Sequence, residues 1–255
     1  MKISIITVVR NSKDTIEETI KSVLSQTYPN IEYIVIDGAS TDGTLAIIRR
    51  YEDKISKIIS EEDKGVYDAM NKGLRIASGD VIGFLNSDDL YFDNKIIEKV
   101  ASIFKKYSVD SLYGDLIYVD RNSPDKIVRY WKSSNFAPGS FLKGWHPPHP
   151  TFFVRKKIYE RYDCFNLDLR VSSDFELMLR FLERYKISTY YLPEILVKMR
   201  IGGQSNNSIK NIIQGNVNII KAFEINGIKV NKFKYLFLRL FPKVKQFIKK
   251  HYASN

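Results

Sequence analysis

A single cysteine, Cys164, stands among the 255 residues. That rules out a disulfide framework and a cysteine-built zinc site. A reducing setting fits this usage. No stretch approaches the ~20 consecutive apolar residues that a membrane-spanning helix requires. The opening segment, Met1 to Ser12, has too short an apolar run for a secretory leader, and a cytoplasmic location is expected. No internal repeat or low-complexity segment occurs. The first apolar run is not followed by Gly-x-Gly-x-x-Gly, and no Gly-Lys-Ser/Thr phosphate loop exists. Both absences exclude the common nucleotide-binding loops. Acidic residues are missing altogether after Glu224. Of the net charge of +11, that terminal segment supplies +8, so the body of the chain is nearly balanced. A nucleic-acid-binding domain would carry its basic face on the fold itself, so nucleic acid is not an expected partner.

What is present is enough apolar and aromatic material, 44% and 13%, for one large α/β domain. The first 90 residues alternate strands and helices. Ile3 to Val9 is a β-branched run, read as a strand buried on both faces. Ile16, Ile20, Val23 and Leu24 form one helical stripe, with acids in the preceding turn. Strands are expected at 31–36, 55–60 and 81–85, and helices at 44–51 and 65–77. Such alternation means a parallel sheet covered by helices, with ligands at the carboxyl ends of the strands. Those ends carry Val8, Arg10 and Asn11, then Asp37, then Glu61 to Lys64, then Asn86 to Asp89. Further on, helices are expected at 95–107 and 173–184, and strands at 111–119, 152–154 and 189–199. Between them, 131–150 reads as a long loop rich in Pro, Gly and aromatics, a candidate functional cover.

The chemistry concentrates at the strand ends. Asp88 and Asp89 are adjacent carboxylates that repel each other and lose hydration. A hard cation such as Mn²⁺ or Mg²⁺ offsets both costs and bridges them to a diphosphate. A helix N-cap is the alternative role. Asp37 directly follows a buried strand and is read as a ligand for a base or ribose. Asp42, in an Asp-Gly turn, is read as turn chemistry. Lys64, Tyr67, Asp68 and Asn71 share one helix face, where Lys64 would meet a phosphate and the rest would be ligands or a solvated face. Asp174, at a helix start, is a candidate general base or else an N-cap. Glu176 is read as structural. Trp145, His146 and His149 are read as pocket or acceptor-positioning residues, since the flanking prolines break a metal-binding register. The tail places Phe233, Leu236, Phe237, Leu240, Phe241, Val244, Phe247 and Ile248 at spacings of three and four with basic residues between. That is a basic amphipathic segment of the membrane-surface type, with a helix packed on the domain as the alternative.

Assembled in order, these motifs resemble the family-2 glycosyltransferases. The residues that carry the likeness are Asn11, Ser22 to Tyr28, Asp37 to Thr44, Asn71-Lys72-Gly73, Ala77 to Asp80, and Asn86 to Asp89. His149 to Phe153 and Ser173-Asp174 extend it, less specifically. The resemblance implies a GT-A-type single domain over 1–225, with a mostly parallel central sheet flanked by helices. Its nucleotide-binding half would be 1–100 and its acceptor-binding half 101–225, followed by the tail 226–255. It also implies an inverting, metal-dependent transfer from a nucleotide-sugar donor, usually UDP-linked, to a saccharide acceptor. Asp37 would meet the uracil, Asp88 and Asp89 the metal and ribose, and Asp174 would be the base. Three positions depart from the family. Ile36 stands where an acid precedes Asp37, Met70 where many members place Arg, and Ser173 where Glu precedes the base. These departures look like those of bacterial members that build polysaccharide or lipopolysaccharide on lipid-linked acceptors. A peripheral position at the inner face of the cell membrane would follow. A sugar nucleotidyltransferase would need a Gly-rich, Arg-containing loop after the first strand, which is absent. A non-catalytic carbohydrate- or membrane-binding module would not need acids at the strand ends.

Overall fold

The computed structural model describes residues 1–202, 209–232 and Tyr235. The parallel core forms where the sequence is richest in β-branched residues. β1 (Ile3–Val9), β2 (Ile31–Asp37), β3 (Lys57–Ser60) and β4 (Val81–Phe84) pair in the order β3-β2-β1-β4, all parallel. Helices α1 (Ile16–Leu24), α2 (Thr44–Arg49) and α3 (Val66–Ile76) supply the crossovers that parallel pairing requires. α3 lies tightly on the sheet because Gly73 faces β1. A Cβ there would stand 2.5 Å from Ile6 Cγ2.

Beyond β4 the chain follows different rules. β5 (Leu90–Tyr91), α4 (Ile96–Lys106), β6 (Ser111–Val119), β7 (Ile127–Trp131), β8 (Phe153–Arg155), α5 (Lys156–Tyr162), α6 (Ser173–Leu179), β9 (Thr189–Arg200) and α7 (Ile209–Ile225) complete the described elements. β8 enters antiparallel between β4 and β6, β7 returns on β6 as a hairpin, and β5 runs antiparallel to β9. Only β6 and β9 renew the parallel pattern. The sheet is therefore mixed, with four of eight pairings antiparallel, and the mostly parallel expectation holds for the first half. β5, β7, α5 and α7 were not anticipated. β5 has two residues, too few for a period to show, and β7 is exposed enough to read as loop. α6 continues through a wide π-type turn at Arg180–Arg184, matching the helix expected over 173–184.

Two apolar layers sandwich the sheet. One joins α3, α6, α7 and the 141–169 segment through Phe84, Phe141, Phe175 and Phe223. The other joins α1 and α4 to the opposite face through Ile20, Tyr33, Val100 and Phe104. The 131–150 segment is tied down and not a free flap. The backbone N–H groups of Gly139 and Phe141 donate to Glu183, Ser133 N donates to Asp115, and Phe141 is fully buried. Asn226 and Tyr235 also pack inward. Asn226 Nδ2 donates to Glu176 Oε1 at 2.9 Å, and Tyr235 meets Phe223 edge-on at 5.1 Å. Phe233 and the apolar residues from Leu236 to Ile248, on which the membrane-surface reading rests, lie outside the described residues. Among the described residues no helix is long and apolar enough to cross a membrane.

Candidate active site

The carboxyl ends of β2, β1 and β4 lie side by side, and each ends in a polar loop. Asp37 closes β2 and is fully buried. Its Oδ2 accepts from Ser60 Oγ at 2.7 Å and from the N–H of Ser40 at 3.1 Å. Its Oδ1 is buried with no protein partner. Asn11, at the end of β1, adopts φ +51° and ties this loop down: its Oδ1 takes the N–H of Thr41 and its own N–H donates to Ser40 Oγ. Asp42 accepts from the N–H and hydroxyl of Thr44, so it is turn chemistry as expected. Arg10 and Asp63 converge over Gly38, where a Cβ would stand 2.2 Å from Asp63 Oδ2 and 3.5 Å from Arg10 Cδ. Val8 is buried in the strand just below.

Asn86 to Asp89 forms a turn after β4, closed by Asp89 N–H to Asn86 O at 3.0 Å. A two-residue strand follows it, so the helix-cap alternative for the paired acids does not apply. The turn is clamped from both sides. Thr19 Oγ1 donates to Asp89 O at 2.9 Å, and Arg200 Nη1 donates to Asp88 O at 2.8 Å. Asp89 Oδ2 accepts from Asn86 Nδ2 at 3.1 Å, while Oδ1 is buried without a partner. Burial, and then the neighbouring Asp88 charge, push the Asp89 carboxyl well above the usual carboxylate range. Burial also raises Asp88, against the pull of Arg121 and Arg200. A buried, mutually repelling pair of carboxylates with a spare oxygen fits a divalent cation. Among the described residues no group of three or more His, Cys, Asp or Glu side chains converges, so the protein would supply one or two ligands and the substrate diphosphate and water the rest.

Asp174 stands in the first turn of α6, whose N-cap residue is Ser172, and no side-chain cap bond forms there. The cap alternative therefore falls away for Asp174 too. Tyr67 Oη donates to Asp174 Oδ1 at 2.8 Å across 107 residues of sequence. His149 is half-buried beside it, stacked on Phe84 with ring centroids 6.0 Å apart and edge-on to Phe165. Burial lowers the imidazole pKa, and the Asp174 charge works the other way. His146 sits against Phe141, Phe175 and Trp131, and Trp145 meets Tyr113 edge-on.

Two expected ligands have other work. Asn71 is buried and exchanges two hydrogen bonds with the backbone of Phe165, at 2.9 and 3.0 Å. It latches α3 to the segment before α6 and is not a free donor on a solvated face. Asp68 accepts the Lys64 N–H at 3.0 Å and lies 4.0 Å from Lys72, closing the first turn of α3. Lys64 is exposed at the mouth of that turn. Glu176 pairs with buried Arg180 at 3.1 Å, a structural role as read. Sequence reasoning missed Arg200, Arg121 and Tyr118, which surround the paired acids from β6, β9 and the β6–β7 turn. No local pattern marks them, because they arrive through the β6–β9 ladder. A cavity of about 270 Å³ between Lys157, Arg161, Tyr185 and Lys186 holds none of these groups.

The family model described as "Glycosyl transferase family 2" matches residues 4–163. The putative glycosyltransferase EpsE of Bacillus subtilis is 33% identical over 205 residues, covering 78% of this chain and 73% of that protein. The Escherichia coli enzyme WfaP, named a UDP-Glc:α-D-GlcNAc-diphosphoundecaprenol β-1,3-glucosyltransferase, is 30% identical over 232 residues, with 88% of each chain covered. Among solved structures, Staphylococcus aureus TarS 1–349 in complex with UDP-GlcNAc superposes with a TM-score of 0.67 at 18% identity, covering all of this chain and 74% of that one. The Pyrobaculum calidifontis mannosyltransferase PcManGT, bound to GDP-Man and Mn²⁺, does so with the same TM-score over 76% of its length. At such identity these structures speak to the fold, which is the mixed α/β arrangement described above. The chain belongs to glycosyl transferase family 2 and is a glycosyltransferase.

Proposed function

We propose that this enzyme transfers a sugar with inversion from a UDP-sugar to a hydroxyl of a lipid-linked saccharide, in bacterial surface-polysaccharide assembly. One observation carries the donor reading. Six buried side-chain polar atoms lack a partner among the described residues, and the two carboxylate oxygens among them are Asp37 Oδ1 and Asp89 Oδ1, after β2 and β4, the two strands that flank β1. Orphaned buried acceptors cost about 1–3 kcal/mol each, so a ligand that satisfies both is favoured. Asp37 Oδ1 is suited to accept a nucleobase N–H. Asp88 and Asp89 would hold Mn²⁺ or Mg²⁺, which neutralises charge on a departing diphosphate. Arg10 and Lys64, both exposed at this edge, are the cations available to the phosphates.

Asp174 takes the proton of the acceptor hydroxyl as its oxygen attacks the anomeric carbon. The half-buried His149 and the ring of Phe84 wall this side against water, and Trp145 and His146 line the acceptor approach. The lipid-linked acceptor rests on the likeness to WfaP, whose name gives one. The basic tail would hold the enzyme at the inner membrane face. Deletion after Lys229 should then abolish sedimentation with anionic liposomes, and unchanged sedimentation would favour a packed tail.

The test of the whole reading is a panel of nucleotide-sugars with Mn²⁺, scored for binding, hydrolysis and transfer. Silence across the panel would refute it. Asp174→Asn should keep donor affinity and lose transfer; full transfer by that variant would remove the base assignment.

A further inference from the structure

Ser173, not an acid, precedes Asp174, and the Ser173 hydroxyl is buried without a partner, while Glu176 in the same turn is taken up by Arg180. What the Asp174 carboxylate does have comes from across the domain. Tyr67 donates to its Oδ1 at 2.8 Å. The Tyr67 ring is held in turn. It stacks on Phe165 with centroids 5.5 Å apart and 25° between planes, and Phe165 is latched to α3 by the reciprocal Asn71 bonds. The loop that opens α3 carries Asp63, which lies against Gly38 at the donor edge. One rigid turn thus spans the donor loop and the carboxylate.

Resting on the transfer reading above, we infer that Tyr67 is a positioning residue for the base. Its hydroxyl occupies Oδ1 of Asp174, so the carboxylate plane is fixed and Oδ2 is the oxygen left to take the acceptor proton. Burial, and then the Asp174 charge, raise the phenol pKa well above its ordinary value, so it remains a donor at working pH. His149 also faces this carboxylate, and desolvation lowers its imidazole pKa while the Asp174 charge works the other way.

The test is a double-mutant cycle on the full chain, with transfer kinetics, UDP–Mn²⁺ affinity and thermal midpoint as readouts. Tyr67→Phe keeps the ring stack, so thermal midpoint and UDP affinity should hold, the latter within about twofold. kcat for transfer should fall about 10- to 100-fold with acceptor KM little changed. Added to Asp174→Asn, the same substitution should change residual transfer by less than about twofold, because groups acting through one another are not additive. An unchanged kcat, a loss confined to KM, or a full repeat of the loss in the Asp174→Asn background would overturn the inference. A wild type inactive on every donor would instead sink the transfer reading itself, a distinguishable result.

Discussion

Replacing Asp89 by Asn should stabilise the metal-free protein and, by the same stroke, remove its response to metal. The buried Asp89 carboxyl holds its proton well above the usual carboxylate range, through burial first and the Asp88 charge second. In the unfolded chain it ionises near its ordinary value. Between those two points the folded state binds one proton more than the unfolded state, so stability falls as pH rises. The slope is about 1.4 kcal/mol per pH unit for one group, and it flattens above the folded pKa. In a domain of this size that corresponds to roughly 3–5 °C of melting temperature per pH unit. Asn carries no such slope and keeps an oxygen to accept from Asn86 Nδ2. In EDTA, the variant and wild type should therefore melt together near about pH 4.5, and the variant should pull ahead toward about pH 8. With Mn²⁺ and UDP at about a hundred times the dissociation constant, wild type should gain about 2.7 kcal/mol and the variant far less. Scanning fluorimetry across pH, with and without Mn²⁺ and UDP, reads both effects. A variant that is less stable at every pH, or that gains as much as wild type from Mn²⁺ and UDP, would refute the argument.

Two more outcomes follow from the same geometry. Asp37→Asn puts a donor where the structure leaves an unpartnered acceptor, so UDP affinity should drop about 10- to 100-fold by titration calorimetry with the fold intact; undiminished affinity would remove Asp37 from the base pocket. Glu32 is almost fully buried; burial opposes its charge, but bonds from Ser4, Ser78 and Lys57 prevail and pull its pKa down to about 2. Its contribution, about 3 kcal/mol at most, is complete above the unfolded-state value and disappears as pH falls through about 2. Glu32→Gln should lower the urea midpoint at neutral pH, with the deficit shrinking as acid is added; a constant deficit across pH would show that shape and not charge is at stake.

The first four strands, the three crossover helices and the acidic strand ends were legible because each is a local pattern. β-branched runs, a 3.6-residue stripe and turn residues are written in consecutive positions, and parallel order then follows from the crossovers. The residues that carry the family likeness lie in the same stretch, and the paired acids are adjacent in sequence. The roles of Asn71 and Asp68 were not legible. Both sit on a polar helix face, and nothing local says that Phe165 will arrive to consume the Asn71 amide.

By itself, then, the sequence determined the parallel first half of the fold and the acids at its strand ends, since periodicity and strand-end chemistry are near-neighbour properties. Only the tertiary structure decided which of those acids retain a spare oxygen, that Arg200 and Thr19 clamp the Asp88-Asp89 turn, and that Tyr67 reaches Asp174. Those facts depend on partners up to 112 residues away, brought in by the β6–β9 ladder and by the Asn71–Phe165 latch that ties α3 to the segment before α6. A hydrogen bond between such residues has no period and leaves no mark along the chain.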